Sequence, residues 1–422
     1  MHRLPRRIEE ARGMTASDNP QVLIVGGGAI GCAIALALAR RGMRDVLVLE
    51  RDTAGSGSSS RAAGGFRTLF PSEIGVRCAL LSRDMFRNAE AELGASIGYR
   101  EDGYLMLARS PQQAEAFRAN AEMQRRLGVD ATWLAPAELA AGWPWLRVDD
   151  VQAGVWCPDD AVFDQVAFMQ ALAGAVGRAG VELREHCCVE RLLVDAGRVV
   201  GVATDTGEIR AGTTVLAAGI WSSSLAAGVG LDLPVAAVRG EVYTTGPVRR
   251  IPQHIPFVTD FDRGRYLRGD VVGLRISGEM GPSPELDDTF DPANAAAAIA
   301  WAGELIPTLA GVATTGGWAG LVELTPDFHP LLGLDRRLGG LLVATGFSGY
   351  GVMHAPAAGQ LAAELLLDGR TTTLDISPLV PSRFAEGRPI LLPTNPLQVG
   401  NAAFLGAGRT TARTGPSLDS TR

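Results

Sequence analysis

Between Gln21 and Glu50 the chain reads QVLIVGGGAIGCAIALALARRGMRDVLVLE, a stretch that restricts the fold more tightly than its composition does. The apolar run Val22 to Val25 is short enough for a strand buried in a parallel sheet. Three glycines follow, Gly26-x-Gly28-x-x-Gly31, with Ala29 and Ile30 between the last two. Ala33 to Ala39 predict an apolar helix ending at Gly42, and Val46 to Leu49 a second buried strand closed by Glu50. In such a unit the first glycine permits a tight turn and the second lets backbone approach a pyrophosphate. The third lets helix and strand pack closely, and the helix N-terminus faces the phosphate charge. Glu50 stands where a carboxylate accepts ribose hydroxyls. An acid at that place argues against a 2′-phosphate, and hence against NADP. The unit therefore reads as a dinucleotide site, with FAD and NAD both open.

A length of 422 residues is enough for two or three domains. With 46% hydrophobic and 20% charged residues the composition is that of an ordinary globular protein. A net charge of −7 offers no basic footprint for nucleic acid, and no apolar run is long enough for a membrane span. Residues 1–19 are polar, without the apolar core of a secretory signal; they predict a disordered leader, a cytoplasmic protein and Met14 as an alternative start. Cys32, Cys78, Cys157, Cys187 and Cys188 show no ligand spacing and predict reduced, buried thiols. The five histidines are equally dispersed, so no metal site is expected. The chain has no lysine; all 39 basic residues are arginine. No Schiff base can form on it, and a cation in an active site must be Arg or His.

The Gly- and Ser-rich loop after Glu50 runs straight into an apolar segment, which favours a cofactor-lining loop over a linker. Its candidates are Arg51, Ser58, Ser59, Ser60, Arg61, Ala63 and Gly64, with Arg67 as a second cation beyond. Helices are expected over 71–93, 112–127, 164–179 and 294–305, and strands over 103–108, 181–184, 189–194, 199–204, 242–244, 266–268 and 271–276. Val189 opens one of these strands. Thr213 to Gly219 is a further buried strand ending in small residues, which suits close backbone approach to a nucleotide at Gly219 and Trp221. A strand at 341–344, the loop Thr345-Gly346-Phe347-Ser348-Gly349-Tyr350-Gly351 and a helix from about Ala355 form a second strand–glycine loop–helix unit. Gly346, Gly349, Tyr350, Gly351, Val352 and Met353 are its candidate cofactor contacts. The organisation expected is a discontinuous nucleotide domain (20–97, 152–232 and 317–388), interrupted by a substrate domain (98–151 and 233–316) with a largely antiparallel sheet. A disordered tail would follow over 389–422.

Taken together, VLIVGGGAIG, SSSRAAGGFRTLF, VLAAGIWS, WAGLVELTPDFHPLLG and GFSGYGVMHAPAAG resemble the flavin-dependent amine oxidoreductases of the D-amino-acid oxidase superfamily, the group of the sarcosine oxidases, glycine oxidase and the proline dehydrogenase β-subunit. The resemblance runs from about Gln21 to Arg388 and decides FAD over NAD. It implies a Rossmann-like α/β domain interrupted by an α+β substrate domain. The chemistry it implies is oxidation of the C–N bond of a small amino acid or N-methylated amine, by hydride transfer to flavin N5 and hydrolysis of the imine. Oxygen or a partner redox protein would accept the electrons, the latter in a hetero-oligomer. A different reading within the same fold is a non-catalytic flavoprotein assembly factor. Some relatives attach flavin through a cysteine before the TPD motif or a histidine in the Ser-rich loop; Gly320 and Arg61 stand there, so non-covalent FAD is expected. A lysine over the flavin and another in the glycine loop correspond to Arg275 and Met353. Arg67 and Arg275 then become candidates for a carboxylate clamp. Tyr350 and His354, in the flavin loop, complete the candidate catalytic set.

Overall fold

The computed structural model describes residues 19–249 and 251–392; all but the last residue of the expected leader and nearly all of the expected tail fall outside them. Val22–Val25 is fully buried and pairs in parallel with Val46–Leu49 on one side and Thr213–Leu216 on the other. Burial of both faces explains why these strands read as continuous apolar runs rather than alternating ones. The six-stranded sheet has the order Leu331–Leu334, Leu341–Thr345, Thr213–Leu216, Val22–Val25, Val46–Leu49, Glu182–Arg184. Only its Leu331–Leu334 edge is antiparallel. Helices Ala29–Arg40, Gln165–Arg178 and Gly351–Asp368 build a core against one face. The other face packs towards a three-stranded meander of Val189–Asp195, Arg198–Thr204 and Gly207–Arg210.

The helices Ala29–Arg40 and Gly351–Asp368 approach at backbone distance. A Cβ added to Gly359 would lie 2.5 Å from the Ala33 carbonyl oxygen. The second helix starts at Gly351, ahead of the expected Ala355, and carries Pro356 inside it. Pro356 is the sixth residue and has no amide to donate, and the Ala357 amide after it donates to Ser82 Oγ at 3.1 Å.

An eight-stranded sheet has the order Thr314–Leu324, Ala236–Thr245, Leu274–Pro282, Arg265–Gly269, Phe257–Asp260, Tyr104–Ala108, Ala153–Cys157, Thr132–Leu134. It is antiparallel except where Phe257–Asp260 meets Tyr104–Ala108. One face carries helix Ala295–Leu305 over a core that includes Leu267, Ile276 and Trp301. Two strands of this sheet, Ala153–Cys157 and Thr314–Leu324, reach beyond the segments 98–151 and 233–316 from which an antiparallel sheet was expected. The strand expected over 271–276 begins only at Leu274, because Val271 and Val272 form a hairpin tip and stand 75% and 59% exposed. β-branched residues mimic a strand in sequence, whereas Asp270 and Gly273 close a turn there, with the Asp270 amide donating to the Gly273 carbonyl. The helix expected over 71–93 is two, Glu73–Arg87 and Ala89–Leu93, the first capped by Ser72 Oγ accepting from the Gly75 amide at 3.2 Å. Cys32, Cys78, Cys157 and Cys187 are buried free thiols, and Cys188 is a half-buried one. Among the described residues no helix is long and apolar enough to cross a membrane.

Candidate active site

One cavity of about 590 Å³ runs from the first glycine loop to the face of the eight-stranded sheet. At its near end stand the glycines of the first loop. Gly26 has φ +108, and a Cβ there would sit 2.4 Å from the Ala217 carbonyl oxygen. On Gly31 it would lie 1.9 Å from the Gly26 carbonyl oxygen, so Gly31 serves helix–strand packing and does not itself line the cavity. Gly28, Ala29 and Ile30 do line it, where the helix starts without a side-chain cap on Gly28. Ser59 Oγ accepts from the Ala29 amide at 3.0 Å and ties the serine loop to that helix end. Glu50 Oε2 accepts from the Gly27 amide at 2.8 Å and Oε1 from the Asp52 amide at 2.9 Å, which fixes the carboxylate at the cavity wall with lone pairs to spare. Arg51 lies over the Trp221 ring at 4.5 Å, and Val189 and Gly219 line the same end.

The serine loop is no free linker. Gln165 Nε2 donates to the Ser60 carbonyl at 3.0 Å, Trp318 Nε1 to that of Arg61 at 2.8 Å, and Arg268 Nε to that of Ala63 at 2.7 Å. Held this way, Ser58, Ser59, Arg61, Ala63 and Gly64 form one wall of the cavity. Arg268 is buried, and burial followed by the neighbouring Arg275 pushes its guanidinium down to about 9. Arg275 does not line the cavity. It donates to Asp270 at 2.7 Å and Gln165 at 2.5 Å and lies 5.2 Å from the Trp318 ring, bracing the loop from behind. A guanidinium engaged by a carboxylate and an amide is not free to clamp a substrate, which corrects the sequence expectation for Arg275.

Arg67 is in the opposite situation. It is buried at 6% exposure, lines the cavity, and lies over the rings of Phe70, Tyr350 and Tyr104 at 4.6, 5.0 and 5.8 Å. Its hydrogen bonds go to the Leu69 carbonyl at 3.2 Å and Met106 Sδ at 3.7 Å. None of these partners is a carboxylate, so a full positive charge faces the cavity from an aromatic cage. Burial raises Tyr104 above its ordinary range and keeps that wall neutral.

From the second glycine unit, Gly349, Tyr350, Gly351, Val352 and Met353 reach the cavity. Gly346, with φ +72, does not; a Cβ on it would meet the Thr325 methyl at 2.5 Å. Glu323 holds this loop against the eight-stranded sheet, accepting from Thr345 Oγ1 at 2.8 Å and the Phe347 amide at 3.0 Å. His354 faces a small separate void of about 20 Å³, packed 4.7 Å from Phe70. Burial, then the charge of Arg67, pushes it down to about 3, so it is a neutral packing partner of the cage. Sequence reading missed the far wall, which Phe257, Thr259, Tyr266 and Ser277 supply. Their signal was the period-two alternation within short strands, readable only once strand pairing is known.

The shape and lining fit FAD: a glycine cradle at a helix N-terminus, a fixed acid beyond the second strand, and a wall at the junction of two sheets. The chain matches the family model described as FAD dependent oxidoreductase (DAO) over residues 21–365. Human mitochondrial sarcosine dehydrogenase is 30% identical over 365 residues, covering 83% of this chain and 40% of that protein. The 4-methylaminobutanoate oxidase (formaldehyde-forming) of Paenarthrobacter nicotinovorans is 27% identical, covering 91% and 49%. The chain thus spans less than half the length of these relatives. Among solved structures, L-proline dehydrogenase from P. horikoshii superposes with a TM-score of 0.81 at 30% identity, covering 88% of this chain and 99% of that one. Glycine oxidase from Geobacillus kaustophilus gives 0.78 at 29% identity, covering 86% and 99%.

Proposed function

The chain belongs to the FAD-dependent oxidoreductase (DAO) family, and on that premise we propose that it oxidises the C–N bond of a small, carboxylate-bearing amino acid or N-methylated amine. The observation that carries this reading is Arg67: a buried guanidinium with no carboxylate among its partners, facing a cavity that begins at a dinucleotide cradle. A substrate carboxylate is the complement of that charge, and the surrounding rings exclude water and strengthen the pair. The names of several relatives point the same way, since sarcosine, dimethylglycine and 4-methylaminobutanoate each join a methylated amine to a carboxylate.

In this reading Gly28, Ala29, Glu50 and Ser59 hold the nucleotide end of the cofactor, while Ala63, Gly64, Tyr350 and Met353 border its flavin. When bound, FAD supplies the hydride acceptor and passes two electrons on to oxygen or a redox partner. Arg67 anchors the carboxylate, and Tyr104, Tyr350 and Phe70 fix the direction of the guanidinium. The substrate loses a hydride from carbon and a proton from nitrogen, and water hydrolyses the resulting imine to amine and carbonyl. FAD is held without a covalent bond, a reading supported by Gly320 and Arg61, which line the cavity side by side and offer no nucleophile. Arg67→Ala should raise the substrate KM by about 10- to 150-fold, the loss of one charge-assisted hydrogen bond, with flavin content unchanged. An unchanged KM would remove Arg67 from the site.

A further inference from the structure

The cavity does not end at Arg67. It continues across the sheet to the hairpin between Phe257–Asp260 and Arg265–Gly269, where Arg265 lines it. Arg265 pairs with Asp260, which pairs with Leu107, so it stands two strands across and three residues along from Tyr104, about 14 Å at ordinary strand spacings. Gly264 and Gly278 line this end and bring no side chain to fill it.

Arg265 is 11% exposed. It donates to the Ser277 carbonyl at 3.3 Å and pairs with Glu279 at 2.7 Å. Glu279 is 80% exposed, and an ion pair with one partner in water contributes little, so this carboxylate can be displaced by another. Glu241 also reaches the cavity, but its oxygens are taken by Arg239, the Tyr243 hydroxyl, Asn294 and the Asp291 amide, so it is not a free charge opposing an anion.

Resting on the reading of Arg67 above, we infer that the substrate carries a second anionic group, which Arg265 binds in exchange for Glu279. The substrate class is therefore an amino acid or N-alkylated amine with two carboxylates, rather than a glycine-sized monocarboxylate. Arg67 takes the carboxylate next to the reacting carbon, and Arg265 selects by the distal one.

Dead-end ligands test this without turnover. Butyrate and glutarate differ by the second carboxylate, and their Kd values are read from perturbation of the visible flavin spectrum in the FAD-loaded protein. Glutarate should bind about tenfold tighter or more, the gain of a charge-assisted pair. Arg265→Gln should abolish that advantage, Glu279→Gln should enlarge it, and neither should move the Kd of butyrate. Equal affinity for the two ligands in the unaltered protein, or a preference that survives Arg265→Gln, would overturn the distal site alone. Failure of both ligands to bind a flavin-loaded protein would overturn the Arg67 reading as well.

Discussion

Asp160 is hydrogen-bonded to Thr68, the chain neighbour of Arg67. Its Oδ1 accepts from the Thr68 amide at 2.8 Å and the Thr68 hydroxyl at 2.7 Å, pinning the residue next to Arg67. Burial is the largest influence on it and outweighs these bonds, lifting the carboxyl to about 7. A carboxyl whose folded-state value lies above its unfolded one makes the folded state hold the extra proton between about pH 4 and pH 7. Stability is therefore lost as pH rises through that window. Asp160→Asn keeps an acceptor for Thr68 and removes the titration, so its Tm should fall less than that of the unaltered protein across this range. Parallel Tm–pH curves would show that Asp160 does not titrate there. At this scale sequence was informative about residue type and less so about surroundings. Arg67 and Arg275 were both candidates, Arg67 from the glycine- and serine-rich loop and Arg275 from its correspondence to a family lysine, with Arg67 favoured. Asp270 and Gln165 decide between them, and Gln165 is 110 residues from Arg275 in the chain.

The glycines carry the strongest legibility at the scale of elements, since close approach leaves a mark in sequence. Gly26 and Gly31 stand where an added Cβ would collide with backbone, and the second loop brings Gly349 to Met353 to the cavity that Gly26 and Gly28 line. The long-range strand pairs left no such mark. Nothing local says that Thr314–Leu324 joins Ala236–Thr245, or that Val271 and Val272 form an exposed turn. Gly359 tests the packing that holds both glycine loops in place. With the Ala33 carbonyl 2.5 Å from an added Cβ, Gly359→Ala must push two helices apart. The urea midpoint should drop by the equivalent of about 1–3 kcal/mol, the usual cost of overpacking. A midpoint that does not fall would mean that the helices yield freely at this contact.

At the scale of the whole molecule the cavity lies at a junction of two sheets. A six-stranded, mostly parallel sheet presents the nucleotide end of the cavity, and an eight-stranded sheet covers the other. Four of the five carriers of the family resemblance lie along the first sheet and its loops, and the fifth runs from strand Thr314–Leu324 of the second sheet to Leu331–Leu334 of the first, which is why the cofactor was legible. The far-wall residues Phe257, Thr259, Tyr266 and Ser277 belong to the second sheet, whose strands come from distant segments. With Arg61 and Gly320 at the positions considered for covalent attachment, acid precipitation should release the yellow flavin into the supernatant. Colour retained in the pellet would show a covalent bond.

The central claim is that this chain binds FAD and reduces it with a carboxylate-bearing amine. Anaerobic titration of the FAD-loaded protein with sarcosine, proline, glycine, D-amino acids and N-methylated dicarboxylic amino acids tests it most directly, read as loss of the visible flavin absorbance. The account predicts bleaching by at least one carboxylate-bearing amine, most readily by a dicarboxylate, and far weaker bleaching in Arg67→Ala. A flavin-loaded protein that no member of the panel bleaches would contradict it and favour a scaffold that kept the fold without the turnover.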